Sequence, residues 1–188
     1  TTRTAGNTGN SVHIDQVGNY NNVTVTQRGY NNSIGGIGQQ AMAIQGDSNN
    51  ITLRQGDPTG PNTRTNIMEL GVYGSSNTLN LNQGTGSTGT GTGTDVGGHY
   101  LYNYVNGNNN SVTTVQQNTT GSSSGQFISN TINGSGYIQS FTQTGAGGHQ
   151  IFTATTGDSN TVTATQSGNG AHYLQVTEYG NSNDAYVI

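Results

Sequence analysis

The sequence has no cysteine, no tryptophan and no lysine, and only two prolines in 188 residues. Charged residues make up 6% of it, against roughly 25% in an ordinary soluble domain. Each shortage excludes something. Without cysteine, neither a disulfide framework nor a thiolate metal centre can form. No run approaches about 18 consecutive apolar residues, so no helical membrane insertion is expected. Four arginines against eight acidic residues give a net charge of −4, which leaves little to hold phosphates, so nucleic acid is not an expected partner. The acidic residues are scattered, with no pair spaced for general acid–base work. Phosphate-loop, zinc-helix and nucleophile-elbow motifs are all missing. The sequence therefore nominates no catalytic residue, no cofactor and no metal, and reads as a non-enzyme.

What is present is glycine, at 31 residues, together with Ser, Thr and Asn. Such a chain defaults to disorder, but disordered chains lack the β-branched periodicity seen here. One motif recurs: Asn, five residues, Gln, with apolar residues at the second and fourth of the five. It occupies residues 10–16, 21–27, 49–55, 77–83, 110–116 and 160–166. Tyr137 replaces the Asn in a copy ending at Gln143, and a further copy begins at Asn183. Alternation of period two makes each copy a strand. Weaker strands fall between them, placed by the glycine that follows each: 39–45, 64–70, 99–105, 126–132, 149–155 and 172–178. We call the Asn…Gln class A and the weaker class B, to which 10–16 belongs by position.

A and B alternate, so the repeat is a strand–arc–strand unit. Residues 1–9 precede it, and the expected rungs are 10–27, 39–55, 64–83, 99–116, 126–143, 149–166 and 172–188. Most B-to-A links carry a glycine at one fixed place (Gly18, Gly107, Gly134, Gly157 and Gly180), which suggests a backbone with φ > 0. The A-to-B links vary in length, and insertions confined to one edge are typical of a solenoid. The expected fold is an all-β solenoid with two facing parallel sheets, A stacked on A and B on B. Its thin apolar core includes Val12, Ile14, Val23, Val25, Ile51, Leu53, Leu79, Leu81, Val112, Val162 and Leu174. Asn21, Asn49, Asn77, Asn110 and Asn160 would stack as one ladder, and Gln27, Gln55, Gln83, Gln116, Gln143 and Gln166 as another.

The spacing Q-x-G-x-x-N-x5-Q, here Gln16, Gly18, Asn21 and Gln27, resembles the repeat of curlins, the subunits of curli fibres. The resemblance runs from about Asn10 to Ile188. It implies an extracellular, self-assembling fibre subunit of a bacterial surface or biofilm matrix.

The residues support the same expectation independently. A solenoid offers unpaired backbone at each end, which repeat proteins normally cover with polar caps. The sequence shows no capping segment and no lysine, so Asn10, Val12 and Ile14 at one end, and Ala185 and Val187 at the other, are expected polymer contacts. The chain opens on Thr with no signal-peptide pattern, as a processed exported chain would.

Outward positions on the A sheet are mostly polar. Those on B include Met42, Ile44, Ile67, Tyr100, Tyr102, Tyr104, Phe127, Phe152 and Tyr173, an apolar stripe expected to be a lateral interface between subunits. His149 and His172 fall on adjacent rungs and read as uncharged rings stacked among amides. Sequons at Asn22, Asn31, Asn50, Asn109, Asn118 and Asn133 would carry glycans only if the export route glycosylates. Two other readings fit the composition. One is a phage or surface-adhesin fibre segment. The other is an ice-binding solenoid, suggested by Thr161, Thr163 and Thr165 with Thr24 and Thr26.

Overall fold

A computed structural model describes residues 9–27, 32–35, 42–56, 66–84, 98–117, 125–145 and 147–188. In chain order the strands are β1 (Ser11–Val12), β2 (Ile14–Val17), β3 (Asn22–Gln27), β4 (Ser33–Ile34), β5 (Met42–Gln45) and β6 (Asn50–Gln55). They continue as β7 (Ile67–Tyr73), β8 (Thr78–Gln83), β9 (Tyr100–Asn106), β10 (Ser111–Gln117) and β11 (Phe127–Asn133). The last are β12 (Ile138–Thr144), β13 (Gln150–Thr156), β14 (Thr161–Ser167), β15 (Tyr173–Tyr179) and β16 (Asp184–Val187). All pairing is parallel. The A strands form a seven-stranded sheet in the order β16-β14-β12-β10-β8-β6-β3. The B strands form a sheet counted as nine because the B strand is broken in the first two rungs, leaving five rungs with an unbroken one. The chain is a β-solenoid of two parallel sheets.

The alternation of side chains builds the interior. Val23, Ile51, Leu79, Val112, Gln139, Val162 and Ala185 stand in one inward A column, and Val25, Leu53, Leu81, Thr114, Phe141, Ala164 and Val187 in the next. Val12, Ile34, Met68, Leu101, Ile128, Ile151 and Leu174 face them from the B sheet. Most of these side chains are fully buried. Each large aliphatic one contributes roughly 1.5–3 kcal/mol by leaving water, which offsets part of the backbone ordering cost.

The structure corrects three sequence expectations. The second B strand already pairs at Ser33 and Ile34, ahead of the expected 39–45, and pairs again from Met42 to Gln45. Ile44, not Gln45, therefore occupies the last inward position, and this slip of one residue moves Met42 and Ile44 from the outer face into the core. Both are completely buried. The third B strand is Ile67–Tyr73, beginning beyond Arg64 and running past Leu70. Gly71 sits inside this strand, and Gly74 is the arc glycine, at φ 126°. A slip of two preserves the faces, so Ile67 still points outward. Gln39, Arg64 and the glycine-rich stretch 85–95 lie outside the described residues.

Candidate assembly interface

Three ladders run along the solenoid, and all have a direction. The first is the expected asparagine ladder. Each amide's Oδ1 accepts the backbone N–H of the same position one rung later: Asn49 on Asn21 at 2.9 Å, Asn77 on Asn49 at 2.9 Å and Asn110 on Asn77 at 2.9 Å. Each Nδ2 donates to the arc carbonyl of that later rung, as Asn21 to Gly46 at 2.7 Å and Asn77 to Gly107 at 2.9 Å. Tyr137 keeps the column intact. Its N–H donates to Asn110 Oδ1, its hydroxyl donates to the Gly157 carbonyl at 2.7 Å, and that hydroxyl accepts from Asn160 Nδ2 at 3.0 Å.

The second is the glutamine ladder. Nε2 of Gln27, Gln55, Gln83, Gln116 and Gln143 each donates to the Oε1 of the glutamine one rung later, at 2.8–3.1 Å. The other N–H of the amide reaches across the core to a B-strand carbonyl, for example Gln83 to Ile67 at 3.0 Å. The column stops at Gln166, above which a cavity of about 320 Å³ opens between Gln166, His172, Leu174 and Val187.

The third ladder was not anticipated. Immediately after each arc glycine stands Asn19, Asp47, Ser75, Asn108, Ser135, Asp158 or Asn181. The backbone N–H of each donates to the side-chain oxygen of the next, from Asn19 to Asp47 Oδ1 at 2.6 Å through to Asp158 on Asn181 Oδ1 at 2.8 Å. A signal was available, because every residue in this column is a short-chain acceptor. The following residue is left-handed in every rung, including Tyr20 at φ 57° and Ser48 at φ 58°. The arcs stack so closely that a Cβ on Gly107 would fall on the Gly134 carbonyl oxygen. At Gly46 and Gly74, as at Gly18, Gly134 and Gly157, the same conflict with the next arc appears.

The expected end residues are the incompletely covered ones. The partly buried hydrophobics that pack on the core are Val12, Ile14 and Val23 on the first described rung and Leu174 and Ala185 on the last. Asn10 begins the B column that continues through Asn32, Asn66, His99, Gln126, His149 and His172. The His149 and His172 rings stand edge to face at 4.6 Å. Burial, and then the His172 imidazole, hold His149 below the usual imidazole range, against a smaller opposing pull from the Gly168 backbone. Among the described residues no three His, Asp or Glu side chains group to hold a metal. No helix among them is long and apolar enough to cross a membrane.

The aromatic stripe is assembled as expected on the outer B face. Tyr100 stacks on Phe127 at 5.2 Å, and Phe127 meets Phe152 and Phe152 meets Tyr173 in tilted contacts at 5.2 and 5.6 Å. Tyr104 leans on Tyr73. Tyr102 and Tyr173 are exposed and the others half-buried. On the outer A face the threonine rows are interrupted by Asn80, Ser140 and the exposed Ile138. The sequons at Asn22, Asn50, Asn109 and Asn133 lie on strands or arcs, while Asn31 and Asn118 fall outside the described residues. No family model matches the chain, and no curated protein or solved structure is significantly similar to it.

Proposed function

We propose that this chain is a structural, non-enzymatic subunit of an extracellular self-assembling fibre, in which the last described rung of one copy stacks on the first described rung of the next. One observation carries the reading: the inward apolar columns and the asparagine column continue from one face to the other as they do between two interior rungs. Continuing the register puts Leu174 against Val12, Val176 against Ile14, Ala185 against Val23, Val187 against Val25 and Asn183 against Asn21 of the next copy. Apolar side chains that one copy leaves half covered are then enclosed. Among the described residues the glutamine column runs from Gln27 to Gln166. The curlin-like spacing in the sequence supports the extracellular, biofilm-matrix setting, and the aromatic B face suits lateral association of the resulting filaments.

Asn183 adds support. In other rungs this amide donates to the arc carbonyl of the following rung, whereas Asn183 Nδ2 turns back onto the Tyr179 carbonyl at 2.9 Å. The equivalent carbonyls of Asn133 and Thr156 accept the N–H of the next arc glycine. Asn183 therefore rests on an acceptor that Gly18 of a following copy would claim.

The arcs supply the test. A Cβ on Gly157 would strike the Gly180 carbonyl, while one on Gly180 has only Asn183 Nδ2 nearby, at 3.7 Å. Gly180→Ala should therefore fold, at a strain cost of about 1–2 kcal/mol from its φ of 96°. It should nonetheless fail to elongate seeds, because the next Gly18 carbonyl occupies that space. Negative-stain microscopy and seeded growth read the outcome, with fibre diffraction expected near 4.7–4.8 Å along the axis. Wild-type growth by Gly180→Ala would refute end-to-end stacking.

A further inference from the structure

One pair of residues on the two faces stands apart from the repeat. The last inward B column reads Gln16, Ile44, Val72, Val105, Ile132, Thr155 and Glu178. Its four central members, Ile44 to Ile132, are aliphatic and completely buried. Thr155 is held by bonds to the Thr131 carbonyl and to Gln139. Only the two ends carry an unanswered polar group. Gln16 is exposed, and its side chain makes no hydrogen bond to another described residue. Glu178 is 8% exposed, and its Oε2 has no partner. Leaving a carboxyl oxygen unanswered at such a site is costly. In the stacked arrangement Glu178 and Gln16 become consecutive members of one column, about 4.8 Å apart along the axis.

We infer that Glu178 and Gln16 are hydrogen-bonded partners across the joint between two copies, with Glu178 entering as the neutral acid, so that assembly is favoured by mild acidity. This rests on the end-to-end reading above. A neutral carboxyl donates its O–H to Gln16 Oε1 and accepts from Gln16 Nε2, which answers both groups. A carboxylate can only accept, and it would be sealed in the joint with no cation beside it among the described residues. The titratable groups around it are Asp184 at the start of β16 and the Tyr137 phenol, with Asp15 next to Gln16 on the facing copy, all acidic or neutral.

The sign of the pH effect follows from the surroundings. Burial, and then Asp184, raise the Glu178 carboxyl above its ordinary value of 4.5. A raised carboxyl contributes fully below that ordinary value and loses its contribution as pH climbs through the raised one. His149 acts in the opposite sense, since an imidazole held below its usual range loses its contribution as pH falls. Comparing variants at each pH cancels the histidine.

The experiment is seeded elongation of the full chain between about pH 4.5 and about pH 7.5. Wild type is compared with Glu178→Gln, with Gln16→Glu and with Asp47→Asn. The last removes the same unit of charge one rung inside the joint surface, at an arc position where Asn108 and Asn181 serve equally well. Wild type and Asp47→Asn should slow about ten-fold or more across this range, because sealing an ionised carboxylate in the joint is penalised. Glu178→Gln, whose amide pairs with Gln16 at any pH, should change by about two-fold or less, and Gln16→Glu should steepen the decline. A wild-type pH slope in Glu178→Gln fibres would overturn this inference and leave end-to-end stacking in place. Absence of seeded growth by every chain at every pH would remove the stacking itself, and this pair with it.

Discussion

Replacing Gln83 by alanine tests whether the internal amides hold the solenoid together. Gln83 is completely buried and makes three bonds: it accepts from Gln55 at 2.8 Å and donates to Gln116 and to the Ile67 carbonyl at 3.0 Å each. Gln83→Ala strands one N–H of Gln55 and the Oε1 of Gln116 inside the core, at about 1–3 kcal/mol for each unanswered group. The loss should be about 3 kcal/mol, toward the lower end because a little water can enter the space left behind. For a chain of this size that corresponds to roughly 6–12 °C in melting temperature. Thr163→Ala is the control, since this side chain points outward from β14 and should cost no more than about 0.5 kcal/mol. Thermal and denaturant unfolding of the soluble chain, at a concentration below that of assembly, gives both numbers. If Gln83→Ala melts within the range set by Thr163→Ala, the amide ladder is a consequence of the fold and does not sustain it.

Two further outcomes are expected. Tyr137→Phe keeps the ring in place but removes the hydroxyl that answers the Gly157 carbonyl and Asn160 Nδ2. It should cost about 1–3 kcal/mol by denaturant unfolding, and a neutral result would mean that water replaces the phenol. Tyr102→Lys puts a charge on the exposed aromatic face, where the ring is 42% exposed and its loss leaves the core untouched. Microscopy should show single filaments in place of bundles, and unchanged bundling would remove the B face as the lateral contact.

The A strands were legible because each inward position repeats one chemistry: Asn, aliphatic, aliphatic, Gln. The exceptions remain compatible, since the Tyr137 phenol bridges two rungs as an amide does. The B strands carry no such marker. Their first inward column mixes Asn, His and Gln, and their last runs from Gln16 through aliphatics to Glu178. Alignment there depended on the glycine that follows, and Gly71 imitates an arc glycine three residues before Gly74. The pairing at Ser33 and Ile34, ahead of 39–45, cannot be seen in composition at all, and the one-residue slip reversed the faces of Met42 and Ile44. The left-handed residues were hidden for another reason. Ser48, Ser76, Ser159 and Tyr20 have little preference for φ > 0 and adopt it because the stacked arcs leave no other course. The arc ladder is written in the sequence as the run of Asn, Asp and Ser after each arc glycine.

The glutamine amides all aim their N–H groups toward the later rungs. The column is therefore an arrow, and any rod that adds further units in register inherits its heading. The arc ladder has the same heading and reaches both tips, so a unit arriving upside down would set the Asn181 N–H against its own copy, and reversed insertion is self-rejecting without any proofreading factor. The two tips of such a rod are chemically different surfaces, and a blocking molecule shaped to one of them would leave growth at the other untouched.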